Sequence, residues 1–143
     1  MEEKIFDGLK YLISYPKDFD ESKKYPLVIF LHGSGERGDD NEKQLQHGGQ
    51  MFLNPANQEK YPAYVLFPQC PQDSYWAFGK RPATMNPMPF IEDTPEITAT
   101  LKELILNYIT NHAVDPSRVY MIGLSMGGMG TYDMVSRFPE LFA

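Results

Sequence analysis

A buried strand that runs directly into a glycine-flanked serine is the feature that most constrains this fold. Val119–Ile122 is apolar and rich in β-forming side chains, and Gly123-Leu124-Ser125-Met126-Gly127 follows it without a spacer. Met126–Phe138 then has the pattern of a helix that ends before Pro139. A strand that turns sharply into a helix needs small residues at positions 123 and 127, because side chains there would clash. The sequence therefore predicts a strand, a tight turn and a helix, with Ser125 at the apex.

Further apolar runs predict the rest of a sheet. Leu27–Leu31 and Tyr64–Phe67 are continuously hydrophobic, which is typical of strands that are covered on both faces in a parallel sheet. Leu9–Tyr15 is another predicted strand, closed by Pro16, whereas Asn41–Phe52 is at most weakly helical.

A helix is predicted at Pro95–Asn111, with Thr94 as its N-cap and apolar residues at helical spacing along one face. Strands that alternate with helices predict an α/β fold with a mostly parallel central sheet and helices on both faces. We expect residues 1–143 to form a single domain. Functional residues in such folds lie beyond the carboxyl ends of the strands.

Ser125 is the candidate nucleophile, because the tight turn holds its hydroxyl clear of the backbone at the end of a strand. Acyl transfer also requires two N–H donors aimed at the developing oxyanion. Met126, directly after the serine, is one candidate donor, and Ser34, in the loop after Leu31, is the other. The alternative interpretation is a glycine-rich turn with a capping serine. His32 is a weaker candidate for the general base, because a histidine there is more often held within its loop.

Charge and cysteine content argue against several classes of function. The chain has 13 basic and 19 acidic residues, a net charge of −6, and no basic cluster, so neither nucleic acid nor a membrane surface is an expected partner. Cys70 is the only cysteine, so no intramolecular disulfide can form. The sequence contains no signal-peptide pattern and no membrane-spanning apolar stretch, which predicts a cytoplasmic location by default.

Aromatic residues are concentrated in the long predicted loop Gln69–Ile91. Tyr75, Trp76 and Phe78 either line an acyl or alcohol pocket or cover the edge of the core, and the pattern leaves both open. Trp76 is the best candidate for a substrate-binding wall, because an aromatic ring with a polar edge suits a sugar or an ester. The charged run Glu36–Asp40 lacks metal-ligand spacing, so it is interpreted as a solvated loop and no metal is expected.

Several motifs taken together resemble a known family. They are Leu31–Gly38, Pro68–Pro71, Trp76 and Asp115–Gly128. In this combination the chain is similar, from about Leu9 to Ala143, to carboxylesterase and dienelactone-hydrolase-like serine esterases of the α/β-hydrolase superfamily. That group includes phospholipase/carboxylesterase, acetyl xylan esterase and feruloyl esterase relatives. The resemblance implies a Ser-His-Asp triad, no cofactor, an oxyanion hole formed by Ser34 and Met126, and a small-molecule or carbohydrate-linked ester as substrate.

The order of the triad separates this chain from the complete family pattern. In this fold an acid and then a histidine follow the serine, but the residues after Ser125 include Asp133 and Glu140 and no histidine. We therefore expect an N-terminal portion of the fold, with the triad Asp and His beyond residue 143. Two alternatives remain open: a serine peptidase of the prolyl-oligopeptidase kind, ranked lower because no propeller domain precedes, and a non-catalytic binding module that lacks the triad.

An exposed sheet edge is the remaining expectation. A sheet that stopped at Val119–Ile122 would present unpaired backbone groups, and the apolar end Leu141–Ala143 would need cover. We expect the 143-residue chain alone to self-associate through this edge and to hydrolyse esters poorly.

Overall fold

A five-stranded mixed sheet organises residues 1–86, 89 and 91–143, the part of the chain that the computed structural model describes. The strands are β1 (Glu2–Phe6), β2 (Leu9–Ser14), β3 (Tyr25–Leu31), β4 (Tyr64–Pro68) and β5 (Val114–Gly123), in the spatial order β1-β2-β4-β3-β5. Strand β3 pairs in parallel with β4 and β5, whereas β2 pairs antiparallel with β1 and β4. The predicted strands are therefore confirmed, but only half of the pairings are parallel.

The antiparallel part of the sheet comes from an N-terminal hairpin whose first strand the sequence analysis missed. Strand β1 is largely exposed, and three of its five residues are charged, so it lacks the apolar run of a buried strand. The feature that indicates the hairpin is its turn, in which Asp7 and Gly8 both have positive φ, of 46° and 81°. Two consecutive residues at positive φ match the twist of a two-residue hairpin, and Asp-Gly is a preferred pair there.

Helices cover both faces of the sheet, as predicted. They are α1 (Gly49–Leu53), α2 (Pro55–Lys60), α3 (Glu96–Asn111) and α4 (Met126–Arg137), with short 3₁₀ turns at Ser34–Glu36, Lys43–Leu45 and Pro139–Leu141. The predicted capping role of Thr94 is wrong, because Pro95 occupies the N-cap position and no side chain caps α3. In the part of the chain that is described, no helix is both long and apolar enough to cross a membrane.

Alternation along β3 divides the core into two clusters. Leu27, Ile29 and Leu31 are fully buried on the face that α3 and α4 cover, and most of the core lies there. Phe30 points to the other face, where it packs with residues of β2, β4 and α1. Helix α4 thus begins beside the end of β3, which fixes the position of the turn that precedes it.

Strand β5 forms one edge of the sheet. Tyr120 and Ile122 on this strand are each 41% exposed. The Ala143 N–H donates a hydrogen bond to the Val119 oxygen at 3.0 Å, so the last described residue contacts this strand. Self-association through the edge stays a prediction.

Two glycines in the first half of α4 have different surroundings. A Cβ on Gly130 would lie 2.6 Å from the Trp76 Cβ and 3.0 Å from the Leu31 Cδ1, so the helix needs glycine there. A Cβ on Gly128 would meet its nearest neighbour, the Gly123 oxygen, at an ordinary 3.5 Å. Close packing against the core therefore depends on Gly130 and not on Gly128.

This difference predicts opposite effects of the same substitution. Gly130→Ala should lower the free energy of unfolding by about 1–3 kcal/mol, because the added methyl overpacks the core. Gly128→Ala should raise it by up to about 1 kcal/mol, because alanine favours the helix. Urea denaturation followed by circular dichroism measures both. Shifts of the same sign in the two variants would contradict this account of the helix contact.

Candidate active site

Ser125 lies at the turn between β5 and α4 in a backbone conformation that few L-residues adopt. Its φ is 54° and its ψ is −115°, outside the regions that are free of steric clashes. Two backbone hydrogen bonds hold the turn: the Leu124 N–H donates to the Leu31 oxygen at 3.0 Å, and the Gly127 N–H donates to the Leu124 oxygen at 2.8 Å. Ser125 is exposed, and the predicted strand, turn and helix are confirmed.

The glycines beside Ser125 are required by backbone contacts. A Cβ on Gly127 would overlap the Leu31 carbonyl group, and a Cβ on Gly123 would overlap the Gly127 carbonyl group. Neither neighbour is the flexible end of a side chain, so neither can move aside cheaply. The first turn of α4 therefore packs directly on the end of β3.

The loop after β3 lies against this turn. A Cβ on Gly33 would be 3.7 Å from the Ser125 Cβ and 3.6 Å from the Leu124 oxygen. Ser34 begins a 3₁₀ turn next to Gly33, just as Met126 begins α4. N–H groups in the first turn of a helix have no acceptor within it, and no hydrogen bond among the described residues uses the N–H of Ser34 or Met126. Both predicted donors thus remain available close to the serine.

His32 is held within the site by both ring nitrogens. The Cys70 N–H donates to Nε2 at 2.9 Å, so Nε2 is an acceptor and the proton resides on Nδ1, which donates to the Gly33 oxygen at 2.6 Å. The side chain is buried, and this burial lowers its pKa. These contacts support the structural interpretation of His32, because neither nitrogen is free to take a proton from Ser125.

Trp76 lies in the core and not on an open surface. Its exposed fraction is 0%, and its indole N–H donates to the His32 oxygen at 3.1 Å. The Trp76 and His32 rings also contact each other, with centroids 5.3 Å apart. No face of the indole is left for a substrate in the described chain, which argues against the predicted substrate-wall role. Trp76 instead supports the loop that begins at His32.

The two other histidines and Asp133 have partners of their own. His112 precedes β5, at the opposite end from Ser125, and stacks on Tyr108 at 4.3 Å. His47 is half-exposed, with its Nε2 3.6 Å from the Glu36 Oε1. Asp133 pairs with Arg137 at 3.0 Å. Among the described residues, no hydrogen bond joins the Ser125 hydroxyl to a histidine or a carboxylate.

Gln69 is a residue that the sequence analysis did not single out. Its side chain is buried; it accepts a hydrogen bond from the Asn41 N–H at 2.7 Å and donates to the Glu36 oxygen at 3.1 Å and to the Asp40 Oδ1 at 2.9 Å. The backbone N–H groups of Lys43 and Glu42 also hold the pKa of Asp40 well below its usual range. The sequence feature that could have indicated a buried role for Gln69 is its position between Pro68 and Pro71, directly after a predicted strand.

The interpretation of Glu36–Asp40 as a solvated loop is wrong for Glu36. Its side chain is only 10% exposed, because the Gln69 amide binds the backbone of this segment and brings Glu36 toward Gly33. Asp39, by contrast, is exposed as expected. The charged run is thus divided between one buried carboxylate and exposed ones.

The sheet with its covering helices, the sharp turn at Ser125 and the adjoining loop have the architecture of an esterase of the α/β-hydrolase type. A solved structure of a thermostable esterase superposes with a TM-score of 0.82 and 38% identity, covering 94% of this chain and 35% of that one. The resemblance to this group of esterases, and the fold class, are therefore confirmed.

Two curated relatives are similar over part of their length. The chain is 33% identical over 118 residues to a poly(3-hydroxyalkanoate) depolymerase C of Paucimonas lemoignei, covering 82% of this chain and 26% of the relative. It is 44% identical over 57 residues to a probable dipeptidyl-peptidase 5 of Aspergillus niger, covering 37% of this chain and 8% of the relative. The chain thus spans about a quarter or less of these relatives. No protein-family model matches it.

The contacts of His32 predict how stability depends on pH. Because burial lowers the pKa of His32 in the folded state, the unfolded chain takes up a proton first as the pH falls below about 6.5. The free energy of unfolding should therefore decrease from that pH downward, until the pKa of the folded state is passed.

His32→Asn should be less stable at pH 8, because it loses the bridge to Cys70, and its stability should fall less between pH 7 and pH 5. Urea titrations across this range measure both effects. His47→Asn is the matched control, since it removes a half-exposed histidine and none of the contacts of His32. An unchanged slope in His32→Asn would show that His32 is not the titrating group.

Proposed function

We propose that the protein is a serine-dependent carboxylic-ester hydrolase that works through an acyl-enzyme on Ser125. The observation that carries the proposal is the strained turn, which exposes Ser125 next to the loop at Gly33. A buried structural serine has no need of this conformation, whereas a nucleophile gains access and orientation from it. Similarity to a solved esterase at 38% identity supports the same class.

In the proposed reaction the Ser125 oxygen attacks the acyl carbon of the ester. A C–O bond forms, the carbonyl double bond becomes an oxyanion, and the N–H groups of Ser34 and Met126 donate hydrogen bonds to it. Collapse of the tetrahedral intermediate expels the alcohol and leaves the acyl group on Ser125. Water then attacks the acyl-enzyme by the same route, which releases the acid and restores the hydroxyl.

The proton of Ser125 needs a base that the described residues do not bring to it. In this proposal the triad His and its acid partner lie beyond Ala143, which agrees with the small share of the relatives that the chain covers. The base takes the proton during attack and returns it to the leaving alcohol. The reaction in this form needs no cofactor.

The proposed substrate is a small-molecule or carbohydrate-linked ester. The curated relative named as a poly(3-hydroxyalkanoate) depolymerase supports an ester as the bond that is cleaved. Within the described chain, one cavity of about 710 Å³ lies between α2 and the exposed face of β5 and is not lined by Ser125, so it is not assigned to the substrate.

A serine peptidase is the second candidate. The specific observation in its favour is the 44% identity over 57 residues to a probable dipeptidyl-peptidase. Turnover of short aryl esters compared with acyl-peptides of the same acyl group separates the two activities.

Loss of the proposed nucleophile tests the function. In the protein encoded by the complete gene, Ser125→Ala should abolish labelling by a fluorophosphonate and lower kcat for 4-nitrophenyl acetate by about 10⁴-fold or more. Ser117→Ala, which changes an exposed serine of β5, is the control and should retain both. Full labelling of Ser125→Ala would refute the assignment.

A pair of substitutions at one position tests the oxyanion hole. Ser34→Pro removes the proposed N–H donor and should lower kcat by about 10²–10³-fold with little change in KM. Proline suits the first position of a helical turn, and the extended conformation of Gly33, at φ −78° and ψ 178°, is compatible with a following proline. Ser34→Ala keeps the N–H and should retain near-normal kcat. Equal losses in both variants would assign the effect to the hydroxyl instead.

A further inference from the structure

A mostly buried carboxylate beside the nucleophile accepts no hydrogen bond from the described part of the chain. The Glu36 side chain is 10% exposed, and its one ionic partner among the described residues is His47, at 3.6 Å, whose own side chain is 57% exposed. No hydrogen bond in the described chain ends on the Glu36 carboxylate. Neither Glu36 carboxylate oxygen is among the fully buried, unpartnered side-chain atoms of the described residues, so a cationic group of a ligand can reach the carboxylate directly.

The carboxylate lies next to the reacting serine. The position of a Cβ on Gly33 would be 3.0 Å from the Glu36 Oε2 and 3.7 Å from the Ser125 Cβ. A ligand atom bound beside Gly33 would therefore contact both the Glu36 carboxylate and the Ser125 side chain. A substrate bound at Ser125 would lie within the range over which a poorly solvated charge acts strongly.

The fold holds Glu36 in this position through its backbone. The Glu36 N–H donates to the Gly33 oxygen at 3.3 Å, and the Glu36 oxygen accepts from the Gln69 Nε2 at 3.1 Å. The neighbouring Arg37 forms no ion pair with the carboxylate within the described chain, because its guanidinium donates to the oxygens of Ser34, Gln72 and Ser74. His32, with both nitrogens engaged, is neutral.

We propose that Glu36 is a specificity-determining residue that favours esters with a positively charged group and disfavours esters with a negatively charged one. This inference rests on the proposed esterase function and names the charge class of its substrate. The carboxylate attracts a cation on the acyl or alcohol part and repels an anion. Because the Glu36 side chain is only 10% exposed, salt screens this preference less than it screens a fully exposed charge.

The test uses the protein encoded by the complete gene and two series of substrates. The acyl series consists of the 4-nitrophenyl esters of hexanoate, 5-(trimethylammonio)pentanoate and adipate. The alcohol series consists of the acetates of 3,3-dimethylbutanol, choline and 3-hydroxypropionate. The measured quantity is the ratio of kcat/KM for the cationic ester to kcat/KM for the anionic ester, at low salt and at 0.5 M salt.

Glu36→Gln should lower this ratio about tenfold in at least one series, which corresponds to about 1.4 kcal/mol. Its kcat/KM for the neutral ester should change much less. Asp39→Asn removes the same charge from an exposed position of the same loop and should leave the ratio near that of the wild type. Thermal melting confirms that both variants are folded, and Glu36→Asp, which keeps the charge, should retain most of the preference.

The outcomes distinguish this inference from the proposed function. A normal rate for the neutral esters together with an unchanged ratio in both series overturns the role of Glu36 alone. An equal effect of Asp39→Asn also overturns it, because the preference would then come from the overall charge of the loop. A wild-type protein that neither turns over neutral esters nor reacts with a fluorophosphonate at Ser125 overturns the esterase and this inference with it.

Discussion

Direct packing of the first turn of α4 on the end of β3 determines the geometry of the candidate site. At this point two backbone segments approach each other with no side chain between them, which glycine at position 127 permits. The contact places Ser125 against Gly33, and the neighbouring N–H groups of Ser34 and Met126 have no acceptor among the described residues. A shift of either segment by the width of a methyl group would separate the serine from the loop, so the chemistry depends on close packing and not on the residue types alone.

A second layer of buried polar contacts holds the loop after β3. His32 joins the ends of β3 and β4 through the Cys70 N–H, and Gln69 binds the backbone on both sides of the loop. His32 uses both ring nitrogens in these contacts, and Gln69 uses both its amide oxygen and its amide N–H groups. Satisfied buried polar contacts of this kind make a segment rigid. The loop therefore has a fixed shape although it lacks regular secondary structure over most of its length.

The parts of the site that depend on local sequence were predictable, and those that depend on distant contacts were not. The turn at Ser125 follows from one strand, two glycines and one helix, all adjacent in the chain. The burial of Glu36 depends on Gln69, which is remote in the sequence, and nothing in the charged run itself indicates it. Trp76 illustrates the same limit: its aromatic character fits a binding wall, but Gly130 in α4 makes room for it in the core. The polar strand β1 was missed because it is held by backbone pairing with β2 and lacks a hydrophobic pattern of its own.

Strain at Ser125 also limits how this sequence can change over generations. A residue held at a φ of 54° and a ψ of −115° lowers the stability of the fold by an amount on the order of 1–3 kcal/mol, which glycine at the same position would largely avoid. A lineage under selection for stability alone would therefore drift toward glycine at position 125. The persistence of a side chain at this position across descendants would record continued selection for chemistry, and its loss would be among the first marks of a protein released from it.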